Sequence, residues 1–249
     1  MCSVVSTVTT EIRLLHHLHE MEELVGVAER VWGIAPGGLV GPDFLMALAH
    51  ADGYVAGAFD GNRMVGASFG VLARHDGDWC LHSHITGVVP DFQNTGLGRR
   101  IKQHQRAWAG ARDLAAITWT FDPLVRRNGW FNLHVLGATA VEYHVNFYGP
   151  LRDEINGDDD SDRLLARWDV RSERAESAAT STIPPDRPTT EHVLVETPDD
   201  IVAIRRDEPT RAWAWRRDLR ERLAPLLSTH VVRGMTATGQ YVLVPRQRN

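Results

Sequence analysis

Between His82 and Arg106 the chain passes from a strand, through a proline and a glycine-bearing turn, into a helix. No other stretch restricts the fold as strongly. The turn reads Val88-Val89-Pro90-Asp91-Phe92-Gln93-Asn94-Thr95-Gly96-Leu97-Gly98. A helix N-terminus leaves several backbone N–H groups unpaired and carries partial positive charge. Glycines at 96 and 98 let a bulky anion approach that backbone, and a pyrophosphate suits such a place. Arg99 and Arg100 open the helix, where the dipole disfavours cations, which points to an added anion nearby. A P-loop would continue Gly-Lys-Ser/Thr, but Gly98 is followed by two arginines. A dinucleotide fingerprint needs a third glycine where this chain has Ile101. What remains is Gln-x-x-Gly-x-Gly behind a strand ending in Val-x-Pro.

Composition narrows the setting. With 249 residues and 43% hydrophobic content, the chain can build a core without disulfides. A net charge of -5 argues against a general nucleic-acid binder, which needs a concentrated basic surface. Cys2 and Cys80 make neither a disulfide framework nor a zinc site. His16, His17 and His19 are too closely spaced to share a face, so no metal site is expected. No apolar run has membrane-spanning length, and the N-terminal stretch does not read as a signal peptide. The expectation is a reduced, cytoplasmic protein without a membrane partner.

Periodicity and breakers predict a mixed α/β chain. Strands are expected over 8–15, 54–59, 64–73, 81–89, 115–121, 139–148 and 164–170. Helices are expected over 20–32, 42–50, 96–112 and 128–137. The acidic run Asp158-Asp159-Asp160 reads as a solvated loop. Residues 172–190 are rich in Ser, Ala, Thr and Pro without an apolar period, and read as a flexible connection. Beyond it lie a strand (192–196), a helical region (200–227) and a closing strand (240–244). The expected organisation is therefore a domain over 1–171, the connection, and a β-α-β extension over 191–249. Ala212, Trp215, Leu219, Leu223 and Leu226 form one apolar stripe. That stripe must pack on the main domain or on a second copy in a homodimer.

The string from Val88 to Gly98 resembles the acyl-CoA signature of the GNAT superfamily, Val-x-Pro-x-aromatic-Arg/Gln-x-x-Gly-x-Gly. The preceding order of strand, helix, helix, hairpin and strand resembles that family too, over roughly residues 8–170. The resemblance implies an α+β mixed-sheet fold and an N-acyltransferase using acetyl-CoA or another acyl-CoA as co-substrate. It implies that Thr86, Gly87 and Val88 pair with the pantetheine arm like an added strand. Asn94, Thr95, Gly96, Leu97, Gly98 and Arg99 would cradle the pyrophosphate, and a β-bulge would splay two central strands. Asn128 matches the family's asparagine near the cofactor, with Asn132 as a rival. Seven residues after Asn128 many members have a tyrosine that protonates the leaving thiolate, whereas this chain has Val135. The His-Ser-His strand, Phe-Asp-Pro-Leu and the long tail resemble a poorly characterised subgroup of acetyltransferases.

Acyl transfer needs a neutral amine and a route for its proton. His82, His84 and Thr86 alternate along one strand and should share a face, which makes His84 the candidate base. Tyr143 and Tyr148 are candidates to replace the missing tyrosine, against the plainer reading of strand aromatics as packing. Trp119 is either a substrate wall or core. The acceptor expected is a small-molecule amine, such as an amino acid. A non-catalytic acyl-CoA-binding module is the competing reading, favoured by the absent tyrosine. Acylation of protein or nucleic acid is a third.

Overall fold

The computed structural model describes residues 10–33, 40–149 and 159–246. Val8 and Thr9 of the expected first strand, Cys2, Pro36-Gly37-Gly38 and Asp158 lie outside the described residues. The chain divides into two compact units. One holds the described residues up to Ala73 together with Leu81–Ala111; the other holds Arg74–Cys80 and the chain from Arg112 onward. Among the described residues no helix is long and apolar enough to cross a membrane.

The first unit contains β1 (Glu11–Leu14), α1 (Leu18–Trp32), α2 (Pro42–His50), β2 (Tyr54–Asp60), the bulk of β3 (Arg63–His75) and of β4 (Asp78–Val88), and α3 (Leu97–Gly110). Its strands lie in the order β1-β2-β3-β4. The β2–β3 hairpin turns at Gly61, with φ of 58°. Glu20 starts α1 by accepting from the His16 and His17 amides at 2.9 and 3.0 Å and from Arg13 at 2.5 Å. Burial raises the Glu20 pKa, yet these partners outweigh it and bring the carboxyl down to about 2. Gly33, at φ 63°, closes the helix through its amide to the Glu29 carbonyl. Met21, Leu24 and Val27 of α1 and Leu45 of α2 gather with Val55, Val65, Ala67 and Phe69 into the core. Tyr54 and Trp108 meet edge to face at 5.5 Å, which seats α3 on β2.

The second unit contains β5 (Ala116–Phe121), α4 (Arg126–Trp130), β6 (Thr139–His144), β7 (Arg163–Asp169), α5 (Glu173–Thr180), β8 (Val193–Val195), α6 (Ile201–Asp207), α7 (Pro209–Leu223), β9 (His230–Met235) and β10 (Tyr241–Pro245). Its strands run β5-β7-β6-β9-β10-β8, every neighbouring pair antiparallel. The tail therefore adds three strands beyond β6, joined where Ala140 faces Val232. The stripe is buried at Ala212, Leu219 and Leu223 of α7, with Trp215 partly covered; Leu226, also partly covered, lies in the 3-10 turn Pro225–Ser228 that follows the helix.

Two stretches differ from their sequence reading. Within 172–190, α5 forms behind the Ser172 cap and buries Ala175 and Ala178. Arg174 donates to the Leu133 and Arg233 carbonyls at 3.0 and 2.9 Å, while the Ile183 amide reaches the His134 carbonyl at 2.9 Å. These bonds use backbone acceptors, which leave no trace in composition. His134 lies buried in a π-helical turn (Phe131–Val135), its Nδ1 at 3.1 Å from the Ile183 carbonyl. Its Nε2 accepts from the Met235 amide at 2.7 Å, which requires a neutral ring.

The acidic run is not a solvated loop where it is described. Asp159 is only 8% exposed. With Asp122, at the end of β5, it receives the guanidinium groups of Arg205 and Arg216 from α6 and α7. Arg216 reaches Asp122 at 2.9 and 3.0 Å and Asp159 at 2.9 Å; Arg205 reaches them at 2.6 and 2.9 Å. Arg220 binds Asp160 and Asp162, each at 2.7 Å. Burial alone would raise the Asp122 pKa, but Arg216 and Arg205 hold it far below the usual carboxylate range. A depressed carboxyl stabilises the fold above its unfolded pKa near 3.8, and that contribution is lost as pH falls. Arg216→Ala leaves two buried carboxylates under-compensated and should cost about 3–5 kcal/mol, read as a lowered urea midpoint at pH 7. The deficit should narrow as pH falls below 4. An unchanged midpoint would show that the cluster contributes nothing to stability.

Candidate active site

The site begins where β4 ends. Val89 continues the strand with its amide on the Val65 carbonyl at 3.0 Å, and a short 3-10 turn over Pro90–Phe92 follows. Gln93 donates its side-chain amide back to the Val88 carbonyl at 3.2 Å, and Thr95 donates to the Phe92 carbonyl at 2.7 Å. Asn94 and Gly96 both take left-handed backbone conformations, with φ of 60° and 85°. Asparagine tolerates that region and glycine enters it freely, so the sequence favours this path. Gly96 is the N-cap of α3 and offers no side chain to the first-turn amides. A Cβ placed on it would meet nothing within 4 Å. Residues 93–96 are exposed, Leu97 is buried beneath them, and no acidic residue occupies the first turn of α3. Arg100 is held back by the hydroxyl and carbonyl of Thr10. The result is an open, positively polarised helix end.

Strand β4 departs from simple alternation. Ser83 and Thr86 are three residues apart and should face opposite ways, yet their hydroxyls lie 3.4 Å apart. Both belong to the side occupied by α3, because Gln105 of that helix donates to Ser83 at 2.9 Å and to Ser68 at 2.8 Å. Ser68 in turn meets Thr86 at 2.8 Å. His84 lies on the other side, its ring 5.4 Å from Phe69, the strand neighbour of Ser68. His84 and Ile85 therefore sit consecutively on one side, which is a β-bulge. The expectation that Thr86 shares a face with His82 and His84 fails for this reason. Gly87 is required by a close approach: a Cβ there would stand 2.5 Å from the Trp32 ring at the end of α1.

Both histidines of the strand favour the neutral state. Burial lowers His84, and burial followed by repulsion from His84 and Lys102 brings His82 down to about 4. A neutral imidazole at pH 7 can accept a proton.

In the second unit, Tyr143 donates to Asp162 at 2.6 Å, and burial followed by that carboxylate raises its pKa far above the usual tyrosine range. Its hydroxyl is thus committed to the ion cluster. The Tyr148 hydroxyl shares a hydrogen bond with Thr120 at 2.9 Å and is 39% exposed. Asn128 is exposed on α4, whereas Asn132 is buried and accepts from the Trp119 indole at 3.2 Å. Trp119 also meets Trp168 edge to face and is core. Sequence reasoning passed over Ser68, Ser83, Lys102 and Gln105. Two serines in strands, with Lys102 and Gln105 one turn apart on a helix, were the available signal.

No protein-family model matches the sequence, and no curated protein does so either. Solved structures do. Ribosomal-protein-S5-alanine acetyltransferase from Vibrio fischeri aligns over 66% of this chain and 94% of its own, with TM-score 0.52 and 15% identity. A GNAT-family acetyltransferase from Streptococcus pneumoniae aligns over 64% and 98%, with TM-score 0.51 and 17% identity. Arabidopsis thaliana NAA60, in complex with a bisubstrate analogue, aligns over 65% and 98%, with TM-score 0.51 and 12% identity. At such identities the likeness shows the fold alone: over about two thirds of its length this chain shares the architecture of these acetyltransferases.

Proposed function

We propose that the protein is an acyl-CoA-dependent N-acyltransferase that moves an acetyl group from acetyl-CoA to the primary amine of a small molecule, such as an amino acid. The observation that carries this is the exposed turn at Asn94–Gly96, where left-handed backbone and an uncapped helix end offer amides to a pyrophosphate. The GNAT-type fold supports it, as does the bulge of β4 beside Thr86, Gly87 and Val88, the segment assigned to the pantetheine arm. Asn94 to Arg99 hold the pyrophosphate in this reading, and Asn128 is the second-unit residue assigned to the cofactor.

The chemistry follows from a neutral amine. Its nitrogen attacks the thioester carbonyl carbon, a C–N bond forms, the C–S bond breaks and CoA leaves as thiolate. The proton shed by the nitrogen passes to His84, directly or through water: the ring is exposed, and partial desolvation lowers its pKa from the ordinary histidine value, which favours the neutral, proton-accepting form. We assign the proton taken up by the thiolate to Tyr148 rather than Tyr143, since the Tyr143 hydroxyl is committed to Asp162. A non-catalytic acyl-CoA-binding module is the second reading, and the tyrosine replaced by Val135 favours it.

CoA or acetyl-CoA should raise the melting temperature well above the effect of equimolar ATP or NAD. Gly96→Val places a β-branched residue at φ 85° and its methyl groups in the path of the anion. It should weaken CoA binding at least tenfold while the apolar core stays intact. Equal affinity in the variant would remove the turn from the site.

The reaction itself is tested by a panel of amines, following release of free CoA. Turnover with any amine eliminates the binding-module reading. His84→Ala should then lower kcat roughly 10²–10⁴-fold with little change in CoA affinity. A parental rate in that variant would exclude His84 as the base.

A further inference from the structure

Lys102 is the one lysine among 27 Lys and Arg residues, and it is 4% exposed on α3. Its Nζ donates to Ser83 Oγ at 2.9 Å and to Gln105 Oε1 at 3.0 Å. Gln105, completely buried, sends its amide hydrogens to Ser83 and Ser68. Ser68 Oγ donates to the Ile85 carbonyl at 2.8 Å, and Thr86 Oγ1 reaches the same carbonyl at 2.9 Å. With Lys102 and Gln105 both donating to Ser83, the serine proton is left for Thr86. Whichever of Thr86 and Ser68 donates to the other, the donors run from Lys102 to the carbonyl of Ile85. That carbonyl lies in the bulge, where two successive residues share one side and the strand ladder is locally disrupted.

We propose that Lys102 is a positioning residue for the acyl transfer proposed above: through Ser83, Gln105 and Ser68 it fixes the bulge at His84–Ile85 and thereby the placement of His84. This rests on the acyl-transfer reading for its consequence, though the device itself stands on the geometry. A lysine suits the task because it keeps two N–H donors after losing its proton, whereas arginine stays charged. Burial lowers its pKa to about 7, so the two-donor neutral form is accessible under ordinary conditions. From β4 the titratable group facing it is His82, whose own pKa its charge depresses. On α3 itself Arg99, His104 and Arg106 lie within about one turn. From β2, Tyr54 closes on His104 at 2.8 Å; β3 contributes Ser68 through Gln105.

The folded state releases the Lys102 proton near pH 7 and the unfolded state near 10.5. The group therefore weakens the fold most below pH 7, and that penalty fades as pH rises toward 10.5. Lys102→Met should accordingly leave the melting temperature unchanged or raise it at pH 6.

A single lysine makes the decisive measurement direct. Protein labelled with ¹³C-lysine should give one side-chain resonance titrating near pH 7, and a midpoint near 10.5 would overturn the proposal. Lys102→Met should shift the His84 ring resonances and lower kcat about 10²-fold, with KM values and CoA protection changed only a few-fold. Ser83→Ala should behave alike, and the double variant should lose no more than either single one. If Lys102→Met does not fold, Ser83→Ala carries the same test. Parental kcat in the single variants, unmoved His84 resonances, or multiplied losses in the double would each overturn the positioning role. Absence of turnover in the parent protein with every amine would instead sink the acyl-transfer reading, while the lysine titration and the His84 shifts still report on the device.

Discussion

A hydroxyl buried against a helix must find a partner or cost stability, and β4 turns two of them, Ser83 and Thr86, toward α3. Meeting that demand organises the first unit. Gln105 and Lys102 are drawn inward on a helix face that would otherwise be apolar, and Ser68 of β3 joins them. With both hydroxyls on one side, His84 and Ile85 must take the other, and the strand bulges. The bulge lies a few residues before the turn at Asn94–Gly96. The element that polarises the turn and the element that distorts the strand are therefore the same helix: α3 offers its N-terminus to one and its polar face to the other.

The second unit meets its own demand with charge. Asp122 follows β5 directly, and its carboxylate accepts from the Leu124 amide at 2.9 Å as well as from Arg205 and Arg216. Arginines from two helices of the tail thus close over the end of a strand laid down about eighty residues earlier. Isolated ion pairs at a surface would contribute little, but here Arg216 is 2% and Asp122 6% exposed. In such a setting losing one partner is far worse than never having had the pair, so the tail and the segment over 159–162 depend on each other. The backbone bonds of α5 and of residues 181–186 to β9 and the π-helical turn add a second tie.

Much of this was legible because local chemistry and global fold agree. The turn string is readable since each residue answers a local need: Pro90 ends the strand, Asn94 and Gly96 permit φ above zero, and Gly98 lightens the helix entrance. Helix α2 was legible from Pro42, and the β2–β3 hairpin from its turn residues. Strand β9 was missed because His230, Arg233 and Gly234 interrupt its few apolar residues, Val231, Val232 and Met235, and leave no period-2 pattern. Helix α5 was missed because its only apolar anchors are alanines. The acidic run was misread as solvated because burial of Asp159 depends on arginines more than forty residues away. For the candidate site, the cofactor turn could be read locally. The strand face could not, since a bulge shifts a period-2 pattern without changing any residue.

The two units also show why their buried cations differ. Arg216 lies between carboxylates, and although burial works against its charge, Asp122 and Asp159 raise its pKa above the normal arginine range. There a permanent charge is an asset, because it holds the buried Asp122 carboxyl far below the usual carboxylate range. Lys102 binds a hydroxyl and an amide carbonyl, which accept equally well from an ammonium or a neutral amine. There a permanent charge would be a liability, and burial pushes the group toward losing it. A chain that uses arginine for all its other basic positions thus has lysine at the place where a donor is needed and a fixed charge is not. Hydrogen bonding by a side chain able to discard its proton ties α3 to the polar seam of the strand beneath it.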